Sequence, residues 1–124
     1  MATWITICDT CKRDDFPDRA PDVTDGESLA RQIEPLAAQA GIPTRRVSCL
    51  MGCTHGCNIA IQANGKLNYT LGRFDPADPE AAPAIVDYAR QHSESDTGRV
   101  PFRDWPQGVK GHFVTRHPPL PPEG

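Results

Sequence analysis

Five cysteines fall in two tight groups, Cys8-x2-Cys11 and Cys49-x3-Cys53-x3-Cys57. Thiolates this close together on short loops can converge on one small centre. Sulfur ligands suit both tetrahedral zinc and iron–sulfur clusters, and four cysteines satisfy either a Zn ion or a 2Fe-2S cluster. Gly52 and Gly56 let the second group fold around such a centre. Its N–H groups can then donate to sulfur and stabilise the reduced, more negative state. Spacing does not choose between iron and zinc, nor does it say which four of Cys8, Cys11, Cys49, Cys53 and Cys57 bind.

Two other readings of these thiols compete. Buried Cys is a common core residue, but packing alone does not gather five into this pattern. A CxxC after a first strand is also a thiol–disulfide oxidoreductase cue. Against that, such a motif normally opens a helix directly. Here the acidic, proline-broken stretch 14–25 intervenes, and the second group is left unexplained. His55, between two cysteines, could coordinate the metal or tune a cluster, but on a glycine-rich loop it reads rather as a solvated or outer residue of the centre. His92 reads as a helix C-terminal residue meeting the dipole. His112 and His117 suggest no partner. No Ser/His/Asp set, P-loop or dinucleotide fingerprint accompanies them.

The elements that must position the cysteines are short. Trp4 to Cys8 is rich in β-formers and ends at the first cysteine. Leu29, Ile33, Leu36 and Ala40 share one face of a helix over 27–40 that Gly41 stops and Pro35 should kink. Arg45 to Cys49 reads as a second strand. Residues 58–63 and 66–72 alternate around Asn64-Gly65, the signature of a two-residue hairpin, with Ile59, Ile61, Leu67, Tyr69 and Leu71 facing the core. A last helix is expected over 79–92, with Asp78 as cap, Pro79 in the first turn, and Ile85, Val86 and Ala89 inward.

The expected fold class is thus α/β, in the order β-α-β-β-β-α with a mixed sheet. In its β-α-β unit the parallel strands finish at the same edge, which makes Cys8 and Cys49 neighbours. Residues 1–96 form the domain. Residues 97–124 hold six of the 13 prolines and read as an irregular Pro-rich C-terminal tail, packed on the body or on a partner through Phe102, Trp105 and Phe113.

Composition narrows the function classes. At 124 residues there is room for one modest core. A net charge of −3 argues against nucleic-acid binding. Residues 1–96 carry nine Lys/Arg against 14 Asp/Glu, net −5. The tail carries four against two, net +2, in Arg99, Arg103, Lys110 and Arg116. Such a series is usually a solvated face, with protein docking as the other reading. The N-terminus has no basic region followed by an apolar run, and no apolar stretch reaches spanning length. A soluble cytoplasmic protein is expected, where clustered cysteines serve metals or redox rather than structural disulfides.

The Cys loop after a first strand, the element order and Cys49-Leu-Met-Gly-Cys53-Thr-His-Gly resemble the thioredoxin-like 2Fe-2S ferredoxins over roughly residues 3–92. More narrowly, those segments, Gly65-Lys-Leu-Asn-Tyr69, and the tail's Gly98-Arg-Val-Pro-Phe-Arg103 and Arg116-His-Pro-Pro119 resemble a bacterial family of predicted metal-binding proteins often found near cobalamin-biosynthesis genes.

The ferredoxin resemblance implies a thioredoxin-like fold and an electron carrier rather than an enzyme. It implies a 2Fe-2S cluster on two cysteines after the first strand and two after the second. Cys8, Cys49 and Cys53 match that pattern. Cys11 comes earlier than its counterpart, and Cys57 stands where those ferredoxins usually have proline. The ligand set taken from it is Cys8, Cys11, Cys49 and Cys53, with Cys57 as the alternative ligand or a fifth thiol. A reductase and an acceptor enzyme, a homodimer, and a place in cobalamin or tetrapyrrole metabolism are further implications. Zinc in the same cage, structural or for metal delivery, is the alternative. Truncation after Glu94 should then spare the centre and weaken docking.

Overall fold

A computed structural model describes residues 3–8, 25–47, 58–75 and 78–119. Its elements run β1 (Trp4–Cys8), α1 (Asp25–Ala40), β2 (Thr44–Val47), β3 (Ile59–Gln62), β4 (Asn68–Leu71), α2 (Ala81–Glu94) and β5 (Phe113–His117). Two 3-10 turns, at Phe102–Asp104 and Gln107–Val109, precede β5. The strands form one mixed sheet in the order β2-β1-β3-β4-β5. β1 and β2 are parallel, and every other pairing is antiparallel. The α/β expectation is met.

Strand alternation sorts the sheet into two faces. Ile5 and Ile7 of β1, Ile59 and Ile61 of β3, and Tyr69 and Leu71 of β4 are buried in one core. α1 adds Leu29, Ala30, Ile33 and Ala37, and α2 adds Ile85, Tyr88 and Ala89. The helices pack against each other over this face. Fully burying a side chain of this size stabilises by about 1.5–3 kcal/mol, so these rows hold the strands in register. Burial also pushes the Tyr88 hydroxyl well above the ordinary phenol range. Arg46 clamps β2 to α1: its Nε and terminal nitrogen each donate to the Glu34 carboxylate at 2.8 Å. Chiefly through that hydrogen bond, the Glu34 carboxyl is held below its usual range.

Local expectations shift in four places. α1 continues through Pro35, which sits on the exposed side, where water can replace the lost backbone bond. Asn64-Gly65 does lie in a turn, with Gly65 at φ +74°, and the Lys66 N–H donates to the Ala63 carbonyl at 3.3 Å. However, Ile61 pairs with Tyr69, so the loop is wider than two residues. The Asn68 side chain closes it by accepting from the Ala63 N–H at 2.9 Å. α2 begins at Ala81, so Asp78 is not its cap; its carboxylate instead accepts from the Glu80 N–H at 2.9 Å. That places Pro83 in the first turn, where a missing N–H costs nothing.

The fourth shift concerns the tail, which is only partly irregular. Phe113–His117 adds β5 to the sheet, and Val109 is fully buried. The Leu67 N–H donates to the Thr97 carbonyl at 2.9 Å, and Trp105 Nε1 donates to the Val100 carbonyl at 2.8 Å. At Gly108 the tail approaches α2 so closely that a Cβ would lie 2.6 Å from Ala84 Cβ. Val100, Trp105, Val109 and Phe113, dispersed along the tail, anchor a segment whose prolines disguise it.

Candidate metal centre

Cys8 is the last residue of β1 and only 3% exposed. Its parallel neighbour on β2 is Val47, two residues before Cys49. On the other side, the Cys8 N–H donates to the Asn58 carbonyl at 3.2 Å, and Asn58 directly follows Cys57. β1 and β2 therefore finish, and β3 begins, at one edge of the sheet. The expected adjacency of the strand ends that carry the two cysteine groups is realised in the backbone. Cys11, Cys49, Cys53, Cys57 and His55 themselves lie outside the described residues, as does the 14–24 stretch. Among the described residues, no group of three or more His, Cys, Asp or Glu side chains could hold a metal ion.

Beside Cys8, on the sheet face opposite the isoleucines, lies a polar bridge that sequence patterning did not expose. Arg45 Nε donates to Thr6 Oγ1 at 2.8 Å, and its terminal nitrogen donates to Gln62 Oε1 at 3.1 Å. Thr6 Oγ1 in turn donates to Gln62 Oε1 at 3.3 Å. The guanidinium thus spans β2, β1 and β3. Thr6 precedes Cys8 by two residues and shares its face, which sets them about 7 Å apart along the strand. The bridge holds a positive charge on that face of the sheet, near the end of β1. The only hint of it in the sequence is Thr6 breaking a run of isoleucines.

The histidines resolve differently from the cysteines. His92 is fully buried: Nε2 donates to the Leu67 carbonyl at 2.7 Å, and Nδ1 accepts from the Thr3 hydroxyl at 2.9 Å. A carbonyl can only accept, which fixes the tautomer. Burial is the main cause of its lowered pKa, and the nearby Lys66 cation adds to it. The dipole role expected for His92 is therefore replaced by a neutral tie between α2, β4 and the segment before β1. In its place Lys66 Nζ caps α2, donating to the carbonyls of His92 and Ser93 at 3.0 and 2.9 Å. His112 stacks on Phe74 at 4.3 Å and donates from Nδ1 to the Gly72 carbonyl at 2.8 Å. His117 Nε2 lies 3.1 Å from the Thr115 hydroxyl.

Residues 5–119 match the family model described as "Protein of unknown function (DUF1636)". The chain belongs to this family. No curated protein matches this DUF1636 member. Among solved structures it is similar to a thioredoxin-like [2Fe-2S] ferredoxin from Aquifex aeolicus. The two are 13% identical, with 95% of this chain and 94% of that chain covered and a TM-score of 0.52. At that identity the likeness is one of fold, and it bears out the thioredoxin-like expectation. No described helix is long and apolar enough to cross a membrane.

Proposed function

We propose that the chain is a ferredoxin, a one-electron carrier whose Cys8, Cys11, Cys49 and Cys53 hold a 2Fe-2S cluster, with Cys57 as a fifth thiol beside them. The observation that carries this reading is the meeting of β1, β2 and β3 at one sheet edge, through the Cys8–Val47 pairing and the Cys8–Asn58 hydrogen bond. Successive Cα atoms are about 3.8 Å apart, so Cys49 and Cys57 are tethered within roughly 8 Å and 4 Å of Val47 and Asn58. Cys11 follows Cys8 by three residues and Cys53 follows Cys49 by four, so the five together offer the four thiolates that a cluster needs. The structural neighbour is by name a [2Fe-2S] ferredoxin, which supports the same group here.

When bound, the cluster supplies a one-electron couple. The chain's own residues do the rest. Burial of Cys8 keeps one ligand dry, Arg45 offsets negative charge on the thiolates, and the sheet edge holds the ligand loops together. No bond-making step is assigned to the protein. Its partners in this reading are a reductase and an acceptor enzyme in the cytoplasm, the acceptor belonging to cobalamin or tetrapyrrole metabolism, and the carrier pairs as a homodimer.

The deciding experiment is anaerobic purification with visible and EPR spectra before and after dithionite, and iron, sulfide and zinc measured on the same sample. Visible absorption that bleaches, a rhombic reduced signal, and iron and sulfide in equal amounts support the ferredoxin. A colourless, EPR-silent protein with zinc and no iron would assign the same cysteines to a structural or metal-delivery site. A metal-free protein with a reversible Cys8–Cys11 disulfide would assign them to thiol exchange.

A further inference from the structure

The tail docks on the sheet edge in a way that leaves a groove of about 470 Å³ between β5 and the segment around the first 3-10 turn. Its apolar lining combines Val100, Pro101 and Val114 with four aromatic residues. Trp105 lies against Phe113 with centroids 4.4 Å apart and against Phe102 at 4.9 Å, and Tyr69 meets Phe113 at 5.4 Å. Phe102 is 63% exposed and extends this aromatic cluster to the surface. The polar lining is cationic: Arg99 and Arg116 both contribute. Neither guanidinium has an acidic partner among the described residues, whereas Arg31, Arg46 and Arg90 all do. Among the described residues, no carboxylate lines the groove. Outside the lining, Lys110 places its Nζ 4.7 Å from the centre of the Phe102 ring.

Flat rings with two unpaired planar cations around one cavity match a ligand that is itself flat and negatively charged. Arg guanidinium recognises carboxylate, sulfonate or phosphate oxygens through paired N–H donors, and an aromatic body stacks on Trp and Phe. The volume falls within the range of about 300–1,000 Å³ typical of small-molecule sites. We propose that this groove binds a small planar aromatic anion, seated on Trp105 and Phe102 with its charged group held by Arg99 and Arg116. The site lies in the tail and needs no metal, so it stands or falls independently of the cysteine centre.

The test uses the full chain and two fluorescent probes with the same rings. These are 1-anilinonaphthalene-8-sulfonate, which carries the anion, and N-phenyl-1-naphthylamine, which lacks it. The sulfonate should bind saturably at one site per chain and roughly tenfold more tightly than its neutral counterpart. An R99Q/R116Q double variant should weaken sulfonate binding roughly tenfold or more and leave the neutral probe unchanged. Phe102→Ala, at an exposed position, should weaken both probes while the melting temperature holds. Absence of saturable binding, equal affinity for the two probes, or sulfonate binding indifferent to R99Q/R116Q overturns the proposal. A dimer that F102A dissociates would give the groove to a second copy. An oligoglutamate peptide that binds where the aromatic sulfonate does not would give it to an acidic protein segment. Either outcome also overturns the proposal.

Discussion

The Cys8 N–H donates to the Asn58 carbonyl at 3.2 Å, joining the last residue of β1 to the residue that directly follows Cys57. With Val47 beside Cys8 on the other flank, the ends of β1 and β2 and the start of β3 meet at one edge. In the proposed centre, strand pairing sets the points from which the cysteine-bearing segments leave the sheet. Cys8, the last residue of β1, is the cysteine among the described residues, and it is buried.

Serine variants separate the ligands. Even residues outside the first ring of ligands alter metal affinity by roughly 10- to 100-fold, so losing a ligand should cost at least as much. Cys8→Ser, Cys11→Ser, Cys49→Ser and Cys53→Ser are each expected to lose most of the bound iron and visible absorption. Cys57→Ser should retain both. Iron assays and spectra of the five anaerobically purified variants check this, and iron loss confined to a set that includes Cys57 would redraw the ligand assignment.

His92 should make stability pH-dependent. Its folded pKa is lowered from the ordinary 6.5, so the unfolded chain binds the proton more readily than the folded one. Its contribution to stability is then fully present above about pH 6.5 and is lost as pH falls through the lower folded value. Denaturant midpoints should decline on acidification below 6.5 in wild type, and less steeply in His92→Gln. Removing the donor alone, in Thr3→Val, should cost about 1 kcal/mol at pH 7.

Two glycines with nearly the same φ should respond differently to a methyl group. Gly98 has φ +82°, and a Cβ there would lie 2.7 Å from His92 Nε2 and 2.9 Å from the Leu67 carbonyl oxygen. Gly65 has φ +74° with nothing within 4 Å of the added atom. Gly65→Ala therefore carries backbone strain alone, about 1 kcal/mol. Gly98→Ala adds steric conflict with a buried hydrogen bond and should cost roughly twice that or more. Paired urea titrations give the comparison directly.

Truncation after Glu94 is expected to destabilise the whole domain rather than remove a docking appendage. It deletes β5, the buried Val109 and the carbonyl that receives the Leu67 N–H. Losing Val109 and Phe113 alone forfeits several kcal/mol of burial, a large share of the 5–15 kcal/mol that holds a typical domain. Circular dichroism melts should show a drop of many degrees or no cooperative transition. A truncated chain melting like wild type would restore the tail to a peripheral role.

Much was legible in the chain because local physics and patterning act over a few residues. Ile5, Ile7, Ile59, Ile61, Tyr69 and Leu71 alternate, Leu29 and Ile33 recur at helical spacing, and Asn64-Gly65 marks a turn; each signal is read within its own element. Cys8 and Cys49 could also be brought together on paper, since a β-α-β unit returns its parallel strands to one edge. What sequence patterning left undecided depends on partners far away. Thr97 and Leu67 meet across 30 positions, Thr3 and His92 across 89, and Arg45 finds Thr6 only because β2 pairs with β1 in one register. No periodicity marks such contacts. Their free energy appears only when the core has closed and the groups are out of water, which is why a histidine that read as a surface cap became a neutral tie. For the same reason, a proline-rich tail became the fifth strand of the sheet.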